Sequence, residues 1–379
     1  MTSFLQGETK QPTSTTTTTT SLDDEQKEEI RCVLKDVMYL PLTGPSSLFQ
    51  RLLQANITCD DLLVQSLDDV LNTRLQSPSM TLSLHNKIKT ALRRRRIQLT
   101  YSTKSQKTCC VVTAPHTLKL IRDGQAAHSS EIHTRTLAQR FAEHIGGACI
   151  TWTKQEVDRV TKMIKAGKSP PTSNRDPNFL TTMELSTSPW FFYLVTARRS
   201  LLLATQGSMQ RSIHCDIHGM KDTTIEGMDV IFGTHAIKLQ HQQHGINSER
   251  VEHFRNRLQE KIIPVMLLVT EIFNAKHSEN QEPFAASVNH KRLDGFAGVD
   301  RNTLTQLSSK RTLFQTLIGD DHGGGDDINI EDDIMNDPFS MSVQIELSLR
   351  LRRHLFEHKE HAQKFINAVV EAAGIDISA

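Results

Sequence analysis

Residues 213–220 read Ile-His-Cys-Asp-Ile-His-Gly-Met, and the architecture of the chain follows from them. Ile213, Cys215 and Ile217 alternate with polar residues, which is the period-two pattern of a strand with one apolar face. Asp216 and His218 therefore leave that strand on the same side. Gly219 follows at once, so His218 falls at the strand's carboxyl end, where open α/β sheets place their ligands. Cys215 shares the face of Ile213 and Ile217 and reads as a packing residue.

On either side of this strand the pattern alternates between short apolar runs and amphipathic helices. Upstream, Thr108 to Ala114 reads as a buried strand that breaks at Pro115-His116. A helix is expected from Glu131 to Ile145, with Ile132, Leu137, Ala138, Phe141 and Ile145 on one face, Ser129 or Ser130 as cap and Gly146-Gly147 as stop. Then come a strand near 148–153, a helix near 155–165, a turn-rich loop at 168–177 and an apolar helix near 189–205. Downstream, strands are expected at 229–234 and 284–289 and helices at 249–274 and 302–318. The strand Ser342 to Leu347 carries Glu346 near its exit, and a carboxyl-terminal helix follows. Such alternation implies an α/β domain over residues 108–379, a mostly parallel mixed sheet flanked by helices on both faces. The acidic, glycine-rich segment 319–337 reads as a flexible insertion.

The amino-terminal part differs in character. Residues 1–22 include an unbroken threonine run, Thr15 to Thr20, and read as a disordered tail with nothing to bury. From 23 to 97 leucines recur at three- and four-residue spacing between short polar turns, the signature of a small all-α bundle. Arg93 to Arg96 reads as the solvated last turn of its final helix, where basic residues complement the helix dipole. A patch for phosphates is the alternative.

Composition narrows the function classes. Over 379 residues, 44 Lys and Arg against 43 Asp and Glu leave a formal charge of +1, so nothing favours a nucleic-acid partner. The amino terminus has no apolar targeting core, and the longest apolar run, Ile262 to Val269, is too short to span a bilayer. No membrane association is expected, and a soluble, cytoplasmic protein is. Six cysteines without a C-x-x-C pair read as reduced, mostly buried thiols.

The residues that suggest chemistry lie at strand exits: His116 after the first strand of the domain, His218 after a central one and Glu346 near the end of a late one. In an α/β sheet such exits converge on one rim. A hydrolytic zinc commonly takes two imidazoles and one carboxylate and keeps a position open for water. His116 and His218 supply the imidazoles, and Glu131 is placed to complete the set. Glu346 could then act as general base. Asp216 either orients the imidazole of His218 or accepts backbone amides. Asn174 and Arg175 in the turn-rich loop suit a substrate carboxylate, which a guanidinium can hold with two hydrogen bonds.

The succession APH (114–116), Glu131, NRDP (174–177), DIHG (216–219), DVIFGT (229–234) and VQIELS (343–348) resembles the N-formylglutamate amidohydrolase-like hydrolases, relatives in fold of the zinc carboxypeptidases. The resemblance covers roughly residues 108–356. It implies Zn2+ held by His116, Glu131 and His218, a carboxylate recognised by Asn174 and Arg175, and Glu346 as general base. The stretch at 295–306 resembles the family too and offers Arg301 as a second anion-binding group or a surface arginine. Thr117 departs from the glycine or serine that usually follows the first histidine, and the interval to Glu131 is long. His133 and His128 therefore stand as alternatives for the third ligand. His214, His235, His241 and His244 read as core or solvent-exposed residues.

A second, looser resemblance joins residues 35–97 to the sterile alpha motif (SAM) domain, through "LFQRLLQANITCDDLLVQSLDDVL" before a long last helix. It implies a protein partner or self-association. Two functions are therefore expected as alternatives. One is a zinc-dependent amidohydrolase acting on a small carboxylate-bearing amide, an N-acyl amino acid or a glutamyl-type amide. The other is a catalytically inactive hydrolase-fold scaffold that works through its helical domain.

Overall fold

The computed structural model describes residues 24–38, 48–55, 57–58, 62–63, 82–104, 108–122, 126–171, 173–179, 188–204, 212–221, 227–234, 249–277, 282–288 and 341–375. The threonine-rich tail, the helix expected at 302–318, the acidic insertion, His235, His241, His244 and Arg301 lie outside them. The chain divides into two units, Met1–Ile88 and Lys89–Ala379.

In the first unit, helix α1 (Asp24–Met38) buries Ile30, Val33 and Leu34, and helix α2 (Leu48–Gln54) buries Leu48 and Leu52. These are the three- and four-residue intervals that put side chains on one helical face. The His85 ring hydrogen-bonds the carbonyl of Leu62 at 3.2 Å. His85 belongs to α3 (Leu82–Arg95), within which the unit boundary falls.

The second unit is an α/β domain. Among the described residues its sheet has seven strands: β1 (Ile97–Tyr101), β2 (Cys110–Ala114), β3 (Ala148–Trp152), β4 (Ile213–Gly219), β5 (Val230–Gly233), β6 (Ala286–Ser287) and β7 (Met341–Leu347). Their order is β1-β3-β2-β4-β7-β5-β6. Strands β3, β2, β4 and β7 run parallel, while β1 pairs antiparallel with β3 and β5 antiparallel with β7. From β2 the chain steps outward to β3, then returns to lay β4 on the other side of β2. The crevice between β2 and β4 is thus a topological switch point, where open α/β sheets bind ligands.

Alternation along the central strands sorts their side chains by face. Cys110, Val112 and Ala114 of β2, Ile213, Cys215 and Ile217 of β4, and Val343, Ile345 and Leu347 of β7 join one apolar core. Helices α4 (Thr134–Ile145), α7 (Glu249–His277), α8 (Leu349–Glu357) and α9 (Lys359–Ala372) supply the rest of it. On the opposite side, helices α5 (Lys154–Lys165) and α6 (Pro189–Ala204) cover Val111, Ala148, Ile150 and Trp152. The residues between the apolar ones in β4 and β7 are polar and on the other face: His214, Asp216, His218, Ser342, Gln344 and Glu346.

Three expectations need correction. Ile97–Tyr101, left between helix and linker in the sequence, forms an edge strand. Its five-residue alternation directly abuts the basic end of α3, which hides the period. Arg96 is not solvated: its guanidinium is buried and donates to Ser173 Oγ at 2.7 Å and Asn174 Oδ1 at 3.3 Å. Helix α4 begins at Thr134 rather than Glu131, because His133, at the capping position, has a left-handed backbone (φ 70°); no side chain caps it. The stop at Gly146 is as expected, with φ 72° and its N–H bonded to the carbonyl of Ala142.

Candidate metal centre

Parallel β2, β4 and β7 end on one rim, and the three suspected exits meet there. His116 lies in a one-turn 3-10 segment, Pro115–Thr117, directly after β2. Trp152 anchors that turn by donating Nε1–H to the carbonyl of Pro115 at 2.7 Å. His218 and Glu346 are opposite each other in the β4–β7 ladder. Glu131 arrives from the turn before α4 and is tied at both ends. Its backbone N–H donates to the carbonyl of His116 at 2.7 Å, and its Oε2 accepts the N–H of Gly219 at 2.7 Å.

His116, Glu131 and His218 are all buried and offer one ligand atom each, all within 4.8 Å of one another. His116 Nδ1 lies 3.0 Å from His218 Nδ1 and 3.2 Å from Glu131 Oε1. The far nitrogen of each ring meets a carboxylate. His116 Nε2 is 2.9 Å from Asp176 Oδ1, and His218 Nε2 is 2.8 Å from Asp216 Oδ2. A carboxylate accepts only, so both rings carry a proton on Nε2 for their aspartates and turn Nδ1 inward, and the side-chain amide of Asn178 also lies 3.2 Å from His218 Nε2. Arg122 donates Nε–H to Asp176 Oδ2 at 2.6 Å and holds that carboxylate in place.

The electrostatics follow from burial and charge. Burial opposes a charge on His116, but Asp176 and Glu131 outweigh it and push the imidazole up to about 10. His218 is likewise raised, burial being overcome mainly by Asp216. Asp176 and Asp216 are held well below the carboxylate range by the histidines they face, against the effect of burial. Glu131 is lowered because His116 outweighs its burial. Glu346 moves the other way: burial and the Glu131 charge raise it in spite of His218. Two imidazoles and a carboxylate aimed at one point repel unless a cation sits there. The donor set therefore fits a metal ion.

Of the alternatives for the third ligand, His128 lies at the edge of the centre, its Nε2 3.5 Å from Glu131 Oε1, and His133 lies against Phe356. The His128 ring lies tilted by 30° against His116, centroids 3.9 Å apart, and burial holds it down to about 4. The His133 ring stacks on Phe356 at 4.3 Å. Glu131 is the one grouped with the two histidines.

The NRDP loop reaches the centre through Asp176. Asn174 is buried, donates Nδ2–H to Glu156 Oε1 and accepts from Arg96. Arg175 bridges to Ile121 through the backbone, and with Asn174, Trp152, Trp190, Arg93 and Arg96 it lines a cleft of about 100 Å³. Asp176, singled out by nothing in the sequence reading, is the residue that reaches His116. Its only sequence signal is its place in NRDP. Asp216 accepts from His218 and from the Thr113 hydroxyl at 2.5 Å, which makes it a side-chain partner of the imidazole. Among the described residues no helix is long and apolar enough to cross a membrane.

No family model matches this chain, and no curated protein matches it. Among solved structures, it is similar to a bacteriophage poly-gamma-glutamate hydrolase over 74% of this chain and 88% of the other, at 11% identity and a TM-score of 0.31. It is also similar to the N-formylglutamate amidohydrolase of Ralstonia eutropha JMP134, over 74% of this chain and 97% of the other, at 13% identity and a TM-score of 0.32.

Proposed function

We propose that this chain is a zinc-dependent hydrolase that cleaves a carbon–nitrogen amide bond in a small carboxylate-bearing substrate, an N-acyl amino acid or a glutamyl-type amide. One observation carries the reading: three buried ligand atoms of the right chemistry converge within 4.8 Å at a sheet switch point, with Glu346 across the ladder from His218. His116, Glu131 and His218 would hold the ion. When bound, zinc supplies Lewis-acid polarisation of a carbonyl oxygen and brings the pKa of a water toward neutrality.

The chain's own residues do the rest. Asp176 and Asp216 keep both imidazoles protonated on Nε2 and oriented inward. Glu346 takes a proton from the attacking water as its oxygen adds to the carbonyl carbon, and returns it to the nitrogen as the C–N bond breaks. A carboxyl raised by burial and by Glu131 holds a proton more firmly than an ordinary carboxylate, which suits a group that must both accept and release one. Arg175 is assigned the substrate carboxylate, and Asn174 holds its loop by way of Glu156 and Arg96.

The test is metal content of the purified protein, with hydrolysis of a panel of N-acyl amino acids and glutamyl amides before and after chelation. Amide cleavage should vanish in the stripped protein and return with zinc. Cleavage at full rate without metal, or no cleavage of any panel member by zinc-loaded protein, overturns the reading.

A further inference from the structure

Behind His218 the polar face of the sheet continues inward. Ser342 Oγ lies 2.7 Å from His214 Nδ1, His214 Nε2 lies 2.8 Å from Thr113 Oγ1, and Thr113 Oγ1 lies 2.5 Å from Asp216 Oδ1. Asp216 Oδ2 in turn meets His218 Nε2 at 2.8 Å. All five residues are buried, none more than 2% exposed. Strand pairing sets the order, for Thr113 is opposite Asp216 between β2 and β4, and His214 is opposite Ser342 between β4 and β7.

The direction of every hydrogen bond is fixed by proton counting. A carboxylate accepts only, so the single Thr113 proton goes to Asp216 Oδ1. Thr113 Oγ1 then accepts from His214, whose proton is therefore on Nε2. Burial holds His214 down to about 4, so it is neutral and its Nδ1 accepts the Ser342 hydroxyl. Each link points toward Asp216, and chains of this kind polarise one another in a low-dielectric interior.

We propose that Thr113, His214 and Ser342 are positioning residues of the centre: their relay holds Asp216 so that only Oδ2 is offered to His218, which keeps the imidazole protonated on Nε2 and leaves Nδ1 for a metal ion. The metal half of this statement rests on the proposed function, and the orientation half does not. Polar groups buried on three neighbouring strands need a complete network, and this one leads to a single imidazole. Simple packing would be served by apolar side chains, as on the opposite face of the same strands.

The experiment compares wild type with Thr113→Val, Thr113→Ser and Ser342→Ala. Two readouts are taken: nitrogen-15 imidazole signals of the metal-free protein followed across pH, which separate neutral from doubly protonated His218 and report the tautomer of the neutral ring, and zinc affinity by competition with a chelator. Thr113→Val should shift His218 from a pure Nε2–H form toward a mixture and weaken zinc binding by about tenfold, the usual size for a group that orients a ligand. Thr113→Ser, which restores the hydroxyl, should restore both. A folded Thr113→Val protein with the wild-type tautomer and unchanged affinity overturns the proposal. Should that variant not fold, Ser342→Ala decides in its place: both readouts must move in the same direction, by a smaller amount, and unchanged readouts overturn the relay. If the wild type binds no zinc, the proposed function fails, and the tautomer readout alone decides the relay.

Discussion

His116 and His218 face each other through their Nδ1 atoms at 3.0 Å, and each has its other nitrogen on an aspartate of its own, Asp176 or Asp216. Two lone pairs beside the Glu131 carboxylate are stable together only around a shared positive charge, a proton or a metal ion.

That relationship gives the first prediction. Because Asp176 and Glu131 push His116 up to about 10, an ion entering at pH 7.5 has to displace a proton. Calorimetric titration with zinc in buffers of different ionisation enthalpy should show release of about one proton per ion, with affinity rising as pH is raised toward 10. Heats independent of the buffer would remove His116 from the ligand set.

Replacing Glu346 by Gln separates proton transfer from metal binding. Stoichiometric zinc should be retained while turnover falls by about 10²- to 10⁴-fold, the range for a lost general base. Full activity in the variant would exclude Glu346 from the mechanism.

Asp176→Asn should act through His116. The amide is a weaker acceptor for Nε2–H than the carboxylate and leaves the guanidinium of Arg122 facing a neutral group. Zinc affinity is expected to drop by about 10- to 100-fold, measured by chelator competition. An unchanged dissociation constant would mean that Asp176 serves the loop and not the ring.

Gly219 is a packing requirement. A Cβ there would lie 2.5 Å from Cζ of Arg352. That guanidinium cannot swing aside freely, since it donates to the carbonyls of Leu347 (3.1 Å), Ile132 (2.6 Å) and Met220 (3.2 Å). Gly219→Ala should destabilise the protein by about 1–3 kcal/mol, seen as a lower denaturation midpoint. A midpoint equal to wild type would show that Arg352 yields without cost.

His214 makes stability depend on pH. Burial holds the folded-state value down to about 4, against an ordinary 6.5. Between these values the unfolded chain binds more protons, so the contribution of His214 is complete above pH 6.5 and is lost as pH falls toward 4. Denaturant unfolding of metal-free protein at pH 7 and pH 4.5 should show a smaller pH difference for His214→Gln than for wild type. Equal differences would place the acid sensitivity elsewhere.

Much of this was legible in the sequence wherever a period or a motif carried it. The alternation of residues 213–217 put Asp216 and His218 on one face, and the apolar runs gave β2, β3, β4 and β7 to within two residues. The same alternation read one step further back would have put His214 on that face too. What the sequence did not carry is pairing across strands. Thr113, Ser342 and Asp176 are ordinary polar residues until the sheet sets them beside His214, Asp216 and His116. Glu131 lies beside the two histidines, but no helix start delivers it: the turn before α4 does, fixed by its bonds to His116 and Gly219.

The position of Glu346 is inherited from a ladder. Nothing near it in the chain aims it at His218, from which 127 residues separate it; only the alignment of β7 along β4 does so. A slip of that alignment by one residue would leave a sheet of the same kind and turn the carboxylate into the apolar layer, with Ile345 or Leu347 in its place. The same slip would carry Val343, Ile345 and Leu347 out of the core and break the Ser342–His214 contact, so one strand register fixes the packing of the sheet and the polar face behind His218 together.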